Sequence, residues 1–412
     1  TFLYATFLCR FVISHWSNFM FNLRNRLFVA LFVALLASLL PSSYAQETDT
    51  EIALDDFIHY SLIANVDLAE AYALALIRDS ISTEDFYKMV IATKNRHERF
   101  DRAIGWALFV PDLEPLAATL EDRFEAGRIS IIRNAENIEE AIELLGGTTR
   151  QRILADQRLR ESGEYAVPFL LRALVNSEDA RTTKNTREML LNIGRDAVLP
   201  LSAALPHLNS GTKVLVSKIL GNIGYKHAAP ALIVCANNEA NAPNARAAAA
   251  QALARLEIAV DSNLSTQQTV VANRFFDKEV SLQPQPIGGM NLFWEWNPEH
   301  KLVALDVPED AFFDVMAMHF ALQALGTNTD NAFAMSTFVG ANLRRNRVLA
   351  GQEDLVFENN LAYSPEFYAT VFGPEIAQLV LEKALEDRDT SLALDAISAL
   401  ARTAGADSLL TY

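Results

Sequence analysis

Ser162-Gly163-Glu164-Tyr165-Ala166-Val167-Pro168, running into Phe169, Leu170, Leu171 and Leu174, is followed by two further versions of itself. The second is Asn192-Ile193-Gly194-Arg195-Asp196-Ala197-Val198-Leu199-Pro200, leading to Leu201 and Leu205. The third is Asn222-Ile223-Gly224-Tyr225-Lys226-His227-Ala228-Ala229-Pro230, leading to Leu232 and Ile233. Their glycines fall 31 and then 30 residues apart. Self-similarity at such a period predicts a stack of helix pairs. Glycine ends a helix by entering the left-handed region without a Cβ penalty, and proline in the next first turn lacks only an N–H that had no partner there. Ahead of the turns, Met189, Leu190 and Ile193, then Val216, Ile219, Leu220 and Ile223, keep three-to-four spacing. Each pair therefore carries an apolar face that only a neighbouring pair can cover. Residues 245–256 form a fourth, alanine-rich unit in which small side chains permit close helix approach. Glu257 stands where its turn glycine would be, so the run is expected to end or bend there.

At these residues the chain resembles the HEAT-repeat family, including the short bacterial variety also called HEAT-like or bilin-lyase-type repeats. The resemblance covers about a quarter of the chain, residues 151–258. It implies a mostly α fold, an α-α superhelix of helix pairs, and it carries more information on fold than on function. A further match lies over 379–410, where Lys383-Ala384-Leu385-Glu386-Asp387-Arg388-Asp389 resembles the inter-helix turn, and Ala396 to Ala401 with Gly405 resembles the following helix and its end. The chain stops within that unit, and a continuation is expected.

A chain of 412 residues exceeds one ordinary globular core, which favours several domains or an elongated stack. The formal net charge is -16. Because phosphate recognition needs clustered cations, nucleic acid is excluded as the general partner. The first 45 residues contribute only Arg10, Arg24 and Arg26 to that charge, so the remainder is more acidic still. From Met20 they read as a secretory signal peptide: a basic start, an apolar run over 27–40, and Ser43 and Ala45 at the positions signal peptidase recognises. Cleavage after Ala45 and export to the periplasm or the extracellular space are the expectation, with no stable membrane span afterwards. Fourteen apolar residues at about 1.5 Å each are too short to cross a bilayer. Residues 1–19, with Cys9, read as upstream read-through. Cys235 is then the one remaining cysteine, set in the apolar helix Leu232-Ile233-Val234-Cys235-Ala236, and is expected to be a buried structural thiol.

The remaining segments divide as an N-terminal helical region (46–150), the repeats (151–260), a region of changed character (261–375) and the C-terminal unit (376–412). Three short amphipathic helices are predicted over 54–90, with Asp67 as the second N-cap and Ser82 with Asp85 opening the third. Asn137 to Glu140 reads as a capping box, with Gly146-Gly147 ending that helix. Leu292-Phe293-Trp294-Glu295-Trp296 and Leu302-Val303-Ala304-Leu305-Asp306-Val307 alternate as strands do and flank Asn297-Pro298-Glu299-His300-Lys301, predicting one small β-hairpin. A helix over 309–325 and another from Asp330 toward Leu349 follow, loosely resembling a tetratricopeptide unit.

No Walker loop, GxGxxG, HExxH or GxSxG occurs, so no catalytic residue and no cofactor is expected. His97-Glu98 resembles the His-Glu dyads of HEAT-like iron hydroxylases but is not repeated, and reads as a solvated face. Met316-Ala317-Met318-His319 contains soft ligands that invite a copper reading, but Met316 and Met318 point about 200° apart on a helix and cannot grip one ion, so core packing is the expectation. His59, His207 and His227 stand singly and read as structural or surface groups. Helix-pair stacks offer a long inner surface lined by the second helix of each pair, which places Arg172, Ser202 and Asn237 toward a partner. Trp294 and Trp296 share a strand face and could stack on a sugar or a peptide, although packing onto the neighbouring helices is the default reading. Arg344-Arg345 with Arg347 could hold a carboxylate, although a solvated face is the default reading. The function expected from these observations is a non-catalytic, protein-binding scaffold of the cell envelope. The alternatives are a tetrapyrrole-binding or lyase-like protein, implied by the resemblance, and a carbohydrate binder using Trp294 and Trp296.

Overall fold

The computed structural model describes residues 49–176, 180–352, 354–357 and 361–403. The signal-peptide reading and the helix end at Gly405 lie outside the described residues. The chain is mostly α-helical with one small antiparallel hairpin. It divides into two compact units: one holds the residues up to Ser80 with Met89–Leu120, the other Ile81–Lys88 with everything from Glu121 onward.

In the smaller unit, α1 (Asp49–Leu62) packs against α2 (Val66–Arg78) and α4 (Lys94–Ala107), while α3 (Thr83–Ile91) and α5 (Glu114–Ile132) each belong to both units. Leu54, Phe57 and Ile58 fill the core with Phe100, Ala103 and Ile104. The N-cap of α2 is Asn65 rather than Asp67, its carboxamide oxygen accepting from the Leu68 amide. The start of α3 is as predicted, with Ser82 Oγ accepting from the Asp85 amide and donating to its carboxylate. The mixed-sign run on α4 is not wholly solvated. Arg96 is largely buried, with Glu51 at 2.7 Å and Asp55 at 3.1 Å, and ties α4 to α1.

The larger unit continues through α6 (Ala135–Leu144), α7 (Thr149–Ser162), α8 (Val167–Asn176), α9 (Ala180–Ile193), α10 (Val198–Ala204), α11 (Ser210–Ile223), α12 (Ala229–Asn237), α13 (Pro243–Arg255) and α14 (Leu264–Phe276). The cap of α6 is Asn134, not Asn137, and a reciprocal capping box forms instead between Thr148 and Gln151 at the start of α7. Helices α7 with α8, α9 with α10 and α11 with α12 are the three pairs announced by the repeated turns. Gly163, Gly194 and Gly224 all take positive φ, at 52°, 67° and 86°. Between α11 and α13 the backbones approach so closely that a Cβ on Gly221 would lie 2.8 Å from Ala252. Glu257 adopts the turn conformation without glycine, at φ 60°, and the Ile258 amide returns to the Leu253 carbonyl. The stack therefore does not stop there: α14 packs on α12.

After α14 come β1 (Met290–Asn297) and β2 (Lys301–Pro308), paired so that Asn297 faces Lys301 and Met290 faces Pro308. They lead into α15 (Glu309–Thr327), α16 (Ala332–Val348), α17 (Pro365–Val371), α18 (Pro374–Glu386) and α19 (Thr390–Thr403). Residues 387–389 join α18 to α19 at the turn read from the sequence, with Arg388 at φ 56°. One apolar core runs from Ile138 to Leu400, and Cys235 is buried in it as a free thiol. No helix among the described residues is long and apolar enough to cross a membrane.

Candidate functional site

The hairpin lies across α10 and α15 instead of projecting into solvent. Residues 291–294 of β1 are all buried. Two acids from the repeat turns hold this region. Glu164, in the turn before α8, accepts a 2.7 Å hydrogen bond from Trp294 Nε1 and another from the Leu292 backbone. Asp196, in the equivalent turn before α10, accepts from the Gln285 backbone. On the outer strand Asp306 receives Arg133 at 3.1 Å, and the same guanidinium lies 4.8 Å from the Tyr165 ring centre.

Burial raises the Asp196 carboxyl and lifts that of Glu164 to about 8 from an ordinary 4.5, against the pull of the Trp294 hydrogen bond. The ionised form of Glu164 is thus the one the fold disfavours. Its contribution is full below about pH 4.5 and is lost progressively as pH rises through 8. Glu164→Gln keeps an acceptor for Trp294 and removes the charge. Urea unfolding of that variant is expected to decline less between about pH 5 and 8 than wild type. Part of the slope remains with Asp314, which burial lifts to about 7. A variant declining as steeply as wild type would contradict this assignment.

Two clefts flank the docked hairpin. The first, of about 350 Å³, is bounded by α10, α12, α15 and β1. Its wall includes Ser202, His227, Trp294, His319 and Phe320. Ser202 Oγ and both ring nitrogens of His227 have no hydrogen-bond partner among the described residues. His227 is only 1% exposed, with Tyr225 and Phe275 edge-on at 5.7 and 6.3 Å. Burial, reinforced by Arg274, pushes its pKa down to about 3, and burial takes His319 down to about 4. Both are neutral imidazoles at physiological pH. The amide nitrogen of Gln323 lies 2.8 Å from His319 Nε2. That amide nitrogen can only donate, so the His319 proton sits on Nδ1.

The second cleft, of about 380 Å³, lies between α8 and the hairpin turn. Its apolar lining includes Pro168, Leu171, Val175 and Leu302, and its cations are Arg172 and Lys301. Arg172 pairs with Glu139 at 3.0 Å and lies over the Phe169 ring, yet remains more than half exposed. Trp296 and His207 line both clefts, stacked 4.9 Å apart with their planes 5° from parallel.

The sequence-derived candidates thus fall into three groups. Arg172, Ser202, Trp294 and Trp296 converge on the two clefts. The tryptophans do not form an open stacking platform: Trp294 is 6% exposed and spends its N–H on Glu164, and Trp296 gives a face to His207, with Lys301 Nζ 6.0 Å from its ring centre. Asn237 lines neither cleft, and its amide donates to the Val260 carbonyl. Arg344 and Arg345 are not a solvated face. Arg344 holds Asp387 at 3.0 Å, Asp389 at 2.8 Å and the Phe276 carbonyl at 3.0 Å, while Arg345 pairs with Asp354, and Arg347 on the surface with Asp395. The carboxylates these arginines were read as able to hold are the chain's own.

Sequence reasoning took His207 and His227 one at a time and considered His319 only beside the methionines. Nothing in their spacing relates residues that meet only when α10, α12 and α15 close on one another. No group of three or more histidines, cysteines or carboxylates among the described residues is arranged to hold a metal ion. No family model matches the chain, and no curated protein matches it either.

Proposed function

We propose that this chain is an exported, non-catalytic binding protein of the HEAT-like kind, a scaffold that holds an extended segment of a partner protein in the cleft between α8 and the hairpin. Export rests on the basic, apolar and small-residue order of residues 20–45. The repeat identity rests on the three glycine turns and the helix pairs they join. The observation that carries the partner reading is an apolar trough flanked by Arg172 and Lys301, on a chain whose net charge is -16. Cations beside an apolar floor select a segment with an apolar anchor and a neighbouring carboxylate.

Both cations are exposed, so Arg172→Glu combined with Lys301→Glu leaves the core intact and reverses the charge of the trough. Affinity capture from envelope extract is expected to recover a stoichiometric partner with wild type, and at least about tenfold less with the double variant, a difference of about 1.4 kcal/mol. Equal recovery with both would sink the proposal. Because charge steers the encounter, raising the salt is expected to weaken capture by wild type and to raise the residual capture by the charge-reversed variant.

A further inference from the structure

We infer that the first cleft, between α10, α12, α15 and β1, is a site for an uncharged heteroaromatic compound of one or two rings that carries neighbouring hydrogen-bond donor and acceptor atoms. It is distinct from the partner trough and does not depend on it.

Four observations lead there. Among the described residues the cleft wall contains no lysine or arginine, and its one acid, Glu295, is exposed. An anion would find no counter-charge, while Lys301 beyond Trp296 opposes a cation. The polar groups are of the neutral two-way type. His227 and His319 are imidazoles held uncharged: His227 has one donor and one acceptor nitrogen free, His319 has its acceptor engaged by Gln323 and keeps a donor, and Ser202 adds a hydroxyl that does both.

Two of these groups are unsatisfied. Ser202 Oγ and both nitrogens of His227 find no protein partner among the described residues, although His227 is almost wholly buried. Native proteins rarely leave such groups without a partner, because each costs about 1–3 kcal/mol. Gln268 in the same wall is buried too, its carbonyl oxygen engaged by Thr327. Finally, the remaining wall is apolar and ring-rich, with Trp294, Trp296, Met316 and Phe320. A flat ring slides between such side chains and presents its edge to the imidazoles. The volume of about 350 Å³ sits at the low end of the range of roughly 300–1,000 Å³ typical of small-molecule sites, which limits the ligand to a small ring system.

The test uses the whole protein and defined probes. Saturation-transfer NMR at neutral pH would follow 7-azaindole and adenine, both uncharged with a donor beside an acceptor, against indole-3-acetate as the anionic ring control. Both neutral rings are expected to bind with Kd below about 1 mM, and the anion at least about tenfold more weakly. Ala231→Trp places a ring in the cleft from α12 and is expected to abolish transfer. Should that variant fail to fold by circular dichroism, Ser202→Ala decides. Loss of one net hydrogen bond predicts binding weaker by roughly two- to tenfold. No transfer to either neutral ring, undiminished binding in a folded Ala231→Trp, unchanged affinity in Ser202→Ala, or tighter binding of the anion would each overturn the inference. The variant with Arg172 and Lys301 both reversed is expected to bind the rings as wild type does, so this outcome reads independently of partner capture.

Discussion

Trp294→Ala is expected to lower the unfolding free energy of the larger unit by about 3–5 kcal/mol, the usual loss when a large aromatic leaves a packed site. The indole is nearly buried, meets the Tyr165 ring at 6.4 Å and supplies the N–H that Glu164 accepts. Removing it opens a cavity under the hairpin and takes away the strongest donor facing a buried carboxyl. Trp294→Phe separates the two contributions. It restores most of the apolar volume but not the N–H, so a loss of about 1–3 kcal/mol is expected there, the cost of leaving a buried acceptor unmatched. Urea unfolding with an unchanged m-value checks both figures. A Trp294→Ala loss below about 1 kcal/mol would mean that the hairpin is not held at this point.

Arg344→Ala is the second large effect, at about 3–5 kcal/mol, the range for breaking a buried charge network by removing one partner. The guanidinium is 7% exposed, joins Asp387 and Asp389 at the α18 to α19 turn to the Phe276 carbonyl at the end of α14, and lies 3.9 Å from the Phe276 ring centre. Without it Asp389 and Asp387 face one another with no cation between them. Arg344→Lys is expected to recover less than half of the loss. An ammonium is a single point of charge, unable to serve three acceptors in a plane while stacking on a ring. Denaturant unfolding of the two variants beside wild type measures the difference. Equal stability of Arg344→Lys and wild type would show that charge alone matters at this position.

The parts of the molecule that were legible in the sequence are those decided by neighbours in the chain. A glycine followed five or six residues later by a proline fixes where one helix stops and the next begins, and Gly163, Gly194 and Gly224 did so because the left-handed turn is a local requirement. The hairpin was legible for the same reason, through alternation along two adjacent strands. Caps were displaced by two or three positions, from Asn65 to Asp67 and from Asn134 to Asn137, because several short polar side chains compete at each helix start. At Glu257 a non-glycine residue occupies the left-handed turn because the contacts around it outweigh the strain, so the missing glycine does not end the stack. Arg344 on α16 was illegible: its partners Asp387 and Asp389 lie more than forty positions downstream, and no local pattern distinguishes a buried guanidinium from a solvated one. The same holds for the first cleft. Ser202 was read as facing a partner from repeat geometry, whereas His227, in the turn before α12, and His319, on α15, are brought together through α14, whose Phe275 meets His227 on one side and Phe320 on the other.

The hydrogen bond from Trp294 to Glu164 links positions 130 apart, whereas the helix pairs of the repeats pack mainly on their neighbours in the chain. Stacked helix pairs can nucleate anywhere and grow outward, each step closing a short loop. Docking the hairpin closes a far longer one, and its entropic cost rises with the logarithm of length, so this step comes late on the folding path. Helix content therefore develops before either cleft exists. A newly made chain would present finished repeats while the hairpin is still free, with the timing set by one strand folding back over helices made long before it.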